Sequence, residues 1–97
     1  MNYIFYPTNE RVKFPDRGYF KKGDSGTSIL LISTFLAFTF LGFESKTGVS
    51  IDEMLGNYFG PKLETWIKEF QRANNLEVDG GIGPITYNKL KEYGFKG

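Results

Sequence analysis

The acid–base chemistry open to this chain is carboxylate chemistry, with Asp24, Asp52, Glu53, Glu64, Glu69 and Asp79 as available groups. Cleaving a glycosidic bond needs two carboxyls held across a cleft, one with a raised pKa. None of the six stands in a recognisable acid–base context, and most fall where helix caps or solvated helix faces are expected. Histidine and cysteine are both absent. That removes the commonest general base, the commonest metal ligand and the thiol nucleophile. The chain reads as noncatalytic, and no metal or cofactor is implied.

Residues suited to binding gather around a repeated pattern. Tyr58-Phe59-Gly60-Pro61-Lys62-Leu63-Glu64-Thr65-Trp66-Ile67 and Gly81-Ile82-Gly83-Pro84-Ile85-Thr86-Tyr87-Asn88-Lys89-Leu90 each place an apolar residue, then Gly-Pro, before a helical apolar pattern. The two Gly-Pro pairs stand 23 residues apart (83 − 60). Asn57 and Tyr58 precede the first helix start; Asp79 and Gly80 precede the second, and Tyr87 follows it. Together they offer backbone N–H groups, a carboxylate and aromatic faces to a ligand. The same residues also have a plain turn chemistry, since Gly and Asn tolerate positive φ and Asp caps turns. Trp66, beside Ile67 on the apolar face, reads first as core; its polar N–H also suits the edge of a stacking groove. Thr86 can satisfy a backbone group at the helix start, and Gln71 reads as a solvated helix residue.

The elements that must position these residues are helical. Helix 1 is expected from about 23–26 to 41, with Asp24 or Ser25 as N-cap, Gly42 at C′ and Phe43 folding back on Phe38. A loop follows over 44–59, with Val49 and Ile51 tucked inward and a short helical turn near 52–55. Helix 2 starts at Pro61, which suits the first helical position. Its Leu63, Trp66, Ile67 and Phe70 recur at i, i+3, i+4 and i+7. Asn75 is its C′ residue. Helix 3 starts at Pro84, with Ile82 and Tyr87 as a staple across its first turn. Gly94 ends it, and Phe95 meets Leu90. Residues 1–19 read as an N-terminal arm or linker, and 20–97 as the domain. Helix 1 is apolar nearly all round, so something must cover its outer side. Tyr3, Ile4, Phe5 and Phe14 of the arm are the expected cover; a second copy or a catalytic subunit is the alternative.

Composition narrows the partners. The 97 residues are 40% hydrophobic and 24% charged, which permits one folded domain. Aromatics reach 18%, with ten Phe and six Tyr, enough to leave some for a binding surface. Net charge is +1 with scattered basic residues, which argues against nucleic acid. The apolar run 29–43 is too short for a membrane span of about 20 residues. The first residues lack the basic and apolar regions of a signal peptide.

The combination of motifs resembles the peptidoglycan-binding domains of cell-wall hydrolases. Lys22-Gly23-Asp24-Ser25-Gly26 resembles the family's opening motif. Phe59-Gly60-Pro61 with Trp66-Ile67 and Phe70-Gln71 resembles its middle signature, and Leu76-Glu77-Val78-Asp79-Gly80-Gly81-Ile82-Gly83-Pro84-Ile85-Thr86 its closing one. The resemblance covers about residues 20–93. It implies an all-α, compact three-helix bundle built from two Gly-Pro-initiated pseudo-repeats. It also implies noncatalytic attachment to bacterial peptidoglycan, holding the lytic domain of an endolysin or autolysin on its substrate at the cell wall. Gly56-Asn57 stands where the family usually has Asp-Gly, Leu63 where it has Thr, and the loop 44–55 is longer. The implied groove lies by the two helix starts, with Asn57, Tyr58, Asp79, Gly80, Tyr87 and Trp66 as candidate contacts. An assembly subunit or inhibitor reusing the fold is the other reading.

Overall fold

The computed structural model describes residues 12–97; the expected contribution of Tyr3, Ile4 and Phe5 lies outside them. The described residues are helical, with α1 (Thr27–Thr39), α2 (Phe43–Thr47), α3 (Ile51–Met54), α4 (Pro61–Ala73) and α5 (Pro84–Glu92). The three expected long helices are α1, α4 and α5. The 44–59 segment is more ordered than a loop: α2 and α3 form within it and lie against α4. The arrangement is therefore five helices rather than three alone.

Both Gly-Pro starts are as the sequence predicts, with Pro61 and Pro84 in the first turn and Gly60 and Gly83 as N-caps. Their ends are equally legible. Asn75 adopts a left-handed φ of 59° and Gly94 one of 109°. Leu76 N donates to Gln71 O at 2.9 Å, and Phe95 N to Leu90 O at 3.2 Å, closing two Schellman turns. Ser50 and Glu53 form a reciprocal capping box on α3.

Helix α1 departs from expectation at both ends. Gly26 is its N-cap, and no side chain caps it. Asp24 is engaged elsewhere: its Oδ2 accepts from Lys21 N at 2.9 Å and from the Arg17 guanidinium. At the other end Gly42 is right-handed (φ −65°) and begins α2, so the expected Gly42 cap does not form. Phe43 turns inward to stack on Phe40, with ring centroids 5.0 Å apart, while Phe38 is left 71% exposed.

The strand-like segment 20–26 joins the two repeats. Phe20 exchanges backbone hydrogen bonds with Ile82 at 2.9 Å each way. Gly23 N donates to Phe59 O, Phe59 N to Asp24 O, and Gly26 N to Asn57 O, all at 2.8 Å. One short stretch thus pairs with the residues before both Gly-Pro turns.

The core is apolar and aromatic. Ile29, Ile32, Leu36, Phe59, Leu63, Trp66, Ile67, Phe70, Ile82 and Leu90, drawn from α1, α4, α5 and the residues before both Gly-Pro pairs, are buried. The aromatic surplus lies largely inside. Rings run in contact from Phe20 through Phe14, Tyr87, Phe95 and Phe35 to Phe40, at centroid distances of 4.9, 5.0, 5.8, 5.1 and 6.3 Å. Each such pair contributes about 0.5–1.5 kcal/mol beyond its area. Phe14 packs on Phe20 and Tyr87. Lys13 N, one residue earlier, donates to Ser28 Oγ at 2.8 Å. Leu30 and Phe38 on α1, and Leu41 just beyond its end, keep exposed apolar surface. Among the described residues, no helix is long and apolar enough to cross a membrane.

Partial burial pushes the Asp24 carboxyl up, but the Arg17 hydrogen bond, the Lys21 N–H and both positive charges outweigh it, holding it below the ordinary carboxylate value. Its contribution to stability is present above the unfolded pKa of about 4 and lost as pH falls through the folded one. The stability gap between the wild type and Asp24→Asn is therefore expected to be full at pH 7 and to shrink towards pH 3, measured by urea denaturation across pH. A gap independent of pH would contradict this role.

Candidate functional site

A groove of about 830 Å³ opens where the Arg17-Gly18-Tyr19 turn, the loop 75–81 and the start of α5 meet. Its apolar wall includes Tyr19, Leu76, Pro84 and Ile85, and its charged groups are Arg17, Glu77 and Asp79. A smaller hollow of about 410 Å³ lies at the other Gly-Pro start, bordered by Asn57, Tyr58 and Pro61. The two share no lining residue, so the single groove expected across both helix starts is two separate hollows.

The loop bordering the larger groove is held by a buried side chain. Gln71, on α4, is 1% exposed, which overturns its reading as a solvated residue. Its Oε1 accepts from Asp79 N at 3.1 Å and Gly80 N at 3.0 Å. Its Nε2 donates towards Asp79 Oδ1, Gly81 O and Thr86 Oγ1 at 2.9, 2.9 and 3.1 Å. Gln71 can satisfy an entire turn because its amide presents donors and acceptor together. Thr86, also buried, accepts from this amide rather than serving only the start of its own helix.

Within that turn the candidate residues divide. Gly80 is buried at φ 79°, and a Cβ there would come 3.0 Å from Glu64 Cγ and Lys68 Cε. It shapes the backbone and offers a ligand no surface of its own. Asp79 is exposed; its Oδ1 also accepts from Gly81 N at 2.9 Å, while its other oxygen makes no hydrogen bond among the described residues. Asp79 thus couples the turn to the open face.

The aromatic candidates divide as well. Trp66 is wholly buried, and its indole N–H donates to Val49 O at 2.9 Å. It has no accessible face for stacking, so its place among the contacts is corrected to core. Tyr87 is half-buried, edge-on to Phe14 and Phe95, with the Lys91 ammonium 5.4 Å from its ring centroid. It belongs to the rim of the core rather than to open surface. Tyr58 is 56% exposed, its ring folded over Gly60. Asn57 is exposed, while its backbone O accepts from Gly26 N. These two remain accessible at the smaller hollow.

Sequence reasoning passed over Tyr19, Glu77 and Ile85. Ile85 carried a signal: it falls off the Thr86–Leu90 face that α5 buries, and it is exposed directly after Gly-Pro. Tyr19 carried none, because a fold-level contact with Gly81 and Gly83 brings it to the groove. Among the described residues, no three acidic side chains gather as a metal cage requires.

Replacing Gln71 by Leu keeps the volume but strands the Asp79 and Gly80 N–H groups and the Gly81 carbonyl. The expected loss is about 2–4 kcal/mol in chemical denaturation, with faster amide exchange at Gly80. A loss below about 0.5 kcal/mol would show that the turn does not depend on this amide.

The comparisons with known proteins agree with this architecture. The sequence profile of the peptidoglycan binding domain matches residues 37–90, more than half of the chain. A protein of Kitasatospora aureofaciens named "Uncharacterized protein in bpoA1 3'region" is 46% identical over 33 residues, which are 34% of this chain and 28% of that one. The matched stretch is therefore under a third of that relative's length. With its Gly-Pro helix starts, its Schellman turns and this match, the chain belongs to the peptidoglycan-binding domain family.

Proposed function

We propose that this chain binds bacterial peptidoglycan without cleaving it and holds a lytic catalytic domain, of the endolysin or autolysin kind, on its substrate. The observation that carries the reading is the family membership joined to an open groove at the second Gly-Pro start, where the family's closing signature lies. Residues 20–97 form the binding unit in this reading, and 1–19 the arm. Attachment raises the effective concentration of a linked domain at the wall, so modest intrinsic affinity suffices. Asp79 serves the larger groove, and Asn57 and Tyr58 the smaller hollow. Gly80, Tyr87 and Trp66 act through the fold.

A second reading has its own observation. Leu30 and Phe38 on α1, with Leu41 in the turn that follows, are apolar and exposed, as a surface for a lytic subunit or a second copy would be. In that reading the fold serves protein assembly or inhibition without glycan binding.

The test is co-sedimentation of the purified chain with insoluble peptidoglycan from several bacteria, with turbidity followed in the same tubes. The expected result is retention without clearing. Clearing would overturn the noncatalytic assignment. Failure to sediment with any wall would overturn wall binding and transfer the weight to assembly through α1.

A further inference from the structure

The groove beside α5 has a charge imbalance that the chain as a whole lacks. The protein's net charge is +1, yet the groove's own charged groups are one guanidinium and two carboxylates. Arg17 is already committed. It pairs with Asp24, its Nε donates to Tyr19 O at 3.1 Å, and its guanidinium carbon lies 5.3 Å from the Tyr19 ring centroid. Glu77 and Asp79 have no ion-pair partner among the described residues. Lys68 approaches Gly80 from α4, but is within ion-pairing reach of neither acid.

Beside these acids stands the apolar wall. Ile85 is 72% exposed, Tyr19 is 43% exposed, and Leu76 and Pro84 complete the wall. A neutral glycan is commonly held by an open aromatic face, but Arg17 already lies against the Tyr19 ring. A chain of methylenes ending in a primary ammonium suits this surface better. The methylenes lie along apolar side chains, and the ammonium donates to carboxylates.

Resting on the reading of the chain as a peptidoglycan binder, we propose that this groove takes the stem peptide, through the amine-bearing side chain of its diamino acid, rather than the glycan strand. Glu77 and the outer oxygen of Asp79 receive the ammonium. Tyr19, Leu76 and Ile85 line its alkyl stem. The Gln71-braced turn fixes Asp79 in place, and the Arg17–Asp24 pair keeps the guanidinium from neutralising the site.

The experiment uses the full chain and purified sacculi, either untreated or with their free amines acetylated. Acetylation removes the ammonium charge and leaves the glycan unchanged. Binding is expected to weaken about fivefold on acetylated sacculi, the scale of one exposed charge contact. Glu77→Gln should narrow that difference, and Glu77→Gln combined with Asp79→Asn should abolish it. The Glu77 carboxylate makes no hydrogen bond among the described residues, and Asn at position 79 keeps the Oδ1 acceptor of the turn, so an unchanged melting temperature verifies that both variants are folded. The soluble tripeptide L-Ala-γ-D-Glu-L-Lys should compete for untreated sacculi, and its ε-N-acetyl form should not. Retention that ignores acetylation, or an acetylation effect that survives in full in the double variant, overturns the stem-peptide assignment while leaving wall binding intact. Absence of retention on untreated sacculi overturns wall binding and this inference with it.

Discussion

Backbone pairing along 20–26 is the constraint on which the rest of the molecule depends. This stretch bonds to Ile82 at one end and to Asn57 and Phe59 at the other. It therefore fixes the starts of α5 and α4 relative to each other, although the two helices are joined in sequence only by the loop 74–83. Buried backbone groups must find partners, and here one extended segment supplies them to two helix starts at once. The bonding also brings Tyr19 up to Gly81 and Gly83. The larger groove exists because a residue before helix α1 is held against a turn some sixty positions later.

The groove combines a rigid border with accessible side chains. Gln71 locks the 79–81 turn from beneath, and Gly80 permits the close approach of α4 side chains. Asp79, Glu77 and Ile85 then face outward from a backbone that is already fixed. Preorganisation of this kind lowers the ordering cost of any binding at this face. Aromatic packing serves the same end. The ring chain from Phe20 to Phe40 ties the described part of the arm, α5 and α1 into one body.

The elements legible in the sequence were those set by local chemistry. Pro61 and Pro84 mark helix starts because proline lacks the N–H that would go unpaired there. Asn75 and Gly94 mark helix ends because left-handed φ is cheap for those residues. The 3.6-residue spacing of Leu63, Trp66, Ile67 and Phe70 gives the buried face of α4. What was not legible depends on contacts far apart in sequence. Asp24 looked like a helix cap but bonds to Arg17 and Lys21. Gly42 looked like a helix end but opens α2, because Phe43 gains more by packing on Phe40 and Trp66 than by folding back on Phe38. Ser33, a polar residue within the apolar run 29–43, is buried and bonds to both backbone groups of Gly56. Gln71 looked solvated for a similar reason: its partners lie in the 79–81 turn and at Thr86 in α5, eight to fifteen residues away. Around the 79–81 turn, local pattern does not indicate which side chains face outward.

Amide chemical-shift mapping of the ¹⁵N-labelled chain, titrated with soluble muropeptides from digested peptidoglycan, shows where the wall ligand sits. For the proposed binding at the Gly83-Pro84 start, saturable shifts are expected to centre on Tyr19, Glu77, Asp79, Gly81 and Ile85, with little change along α1. Shifts centred on Leu30, Phe38 and Leu41, or no shifts at millimolar muropeptide, would contradict it.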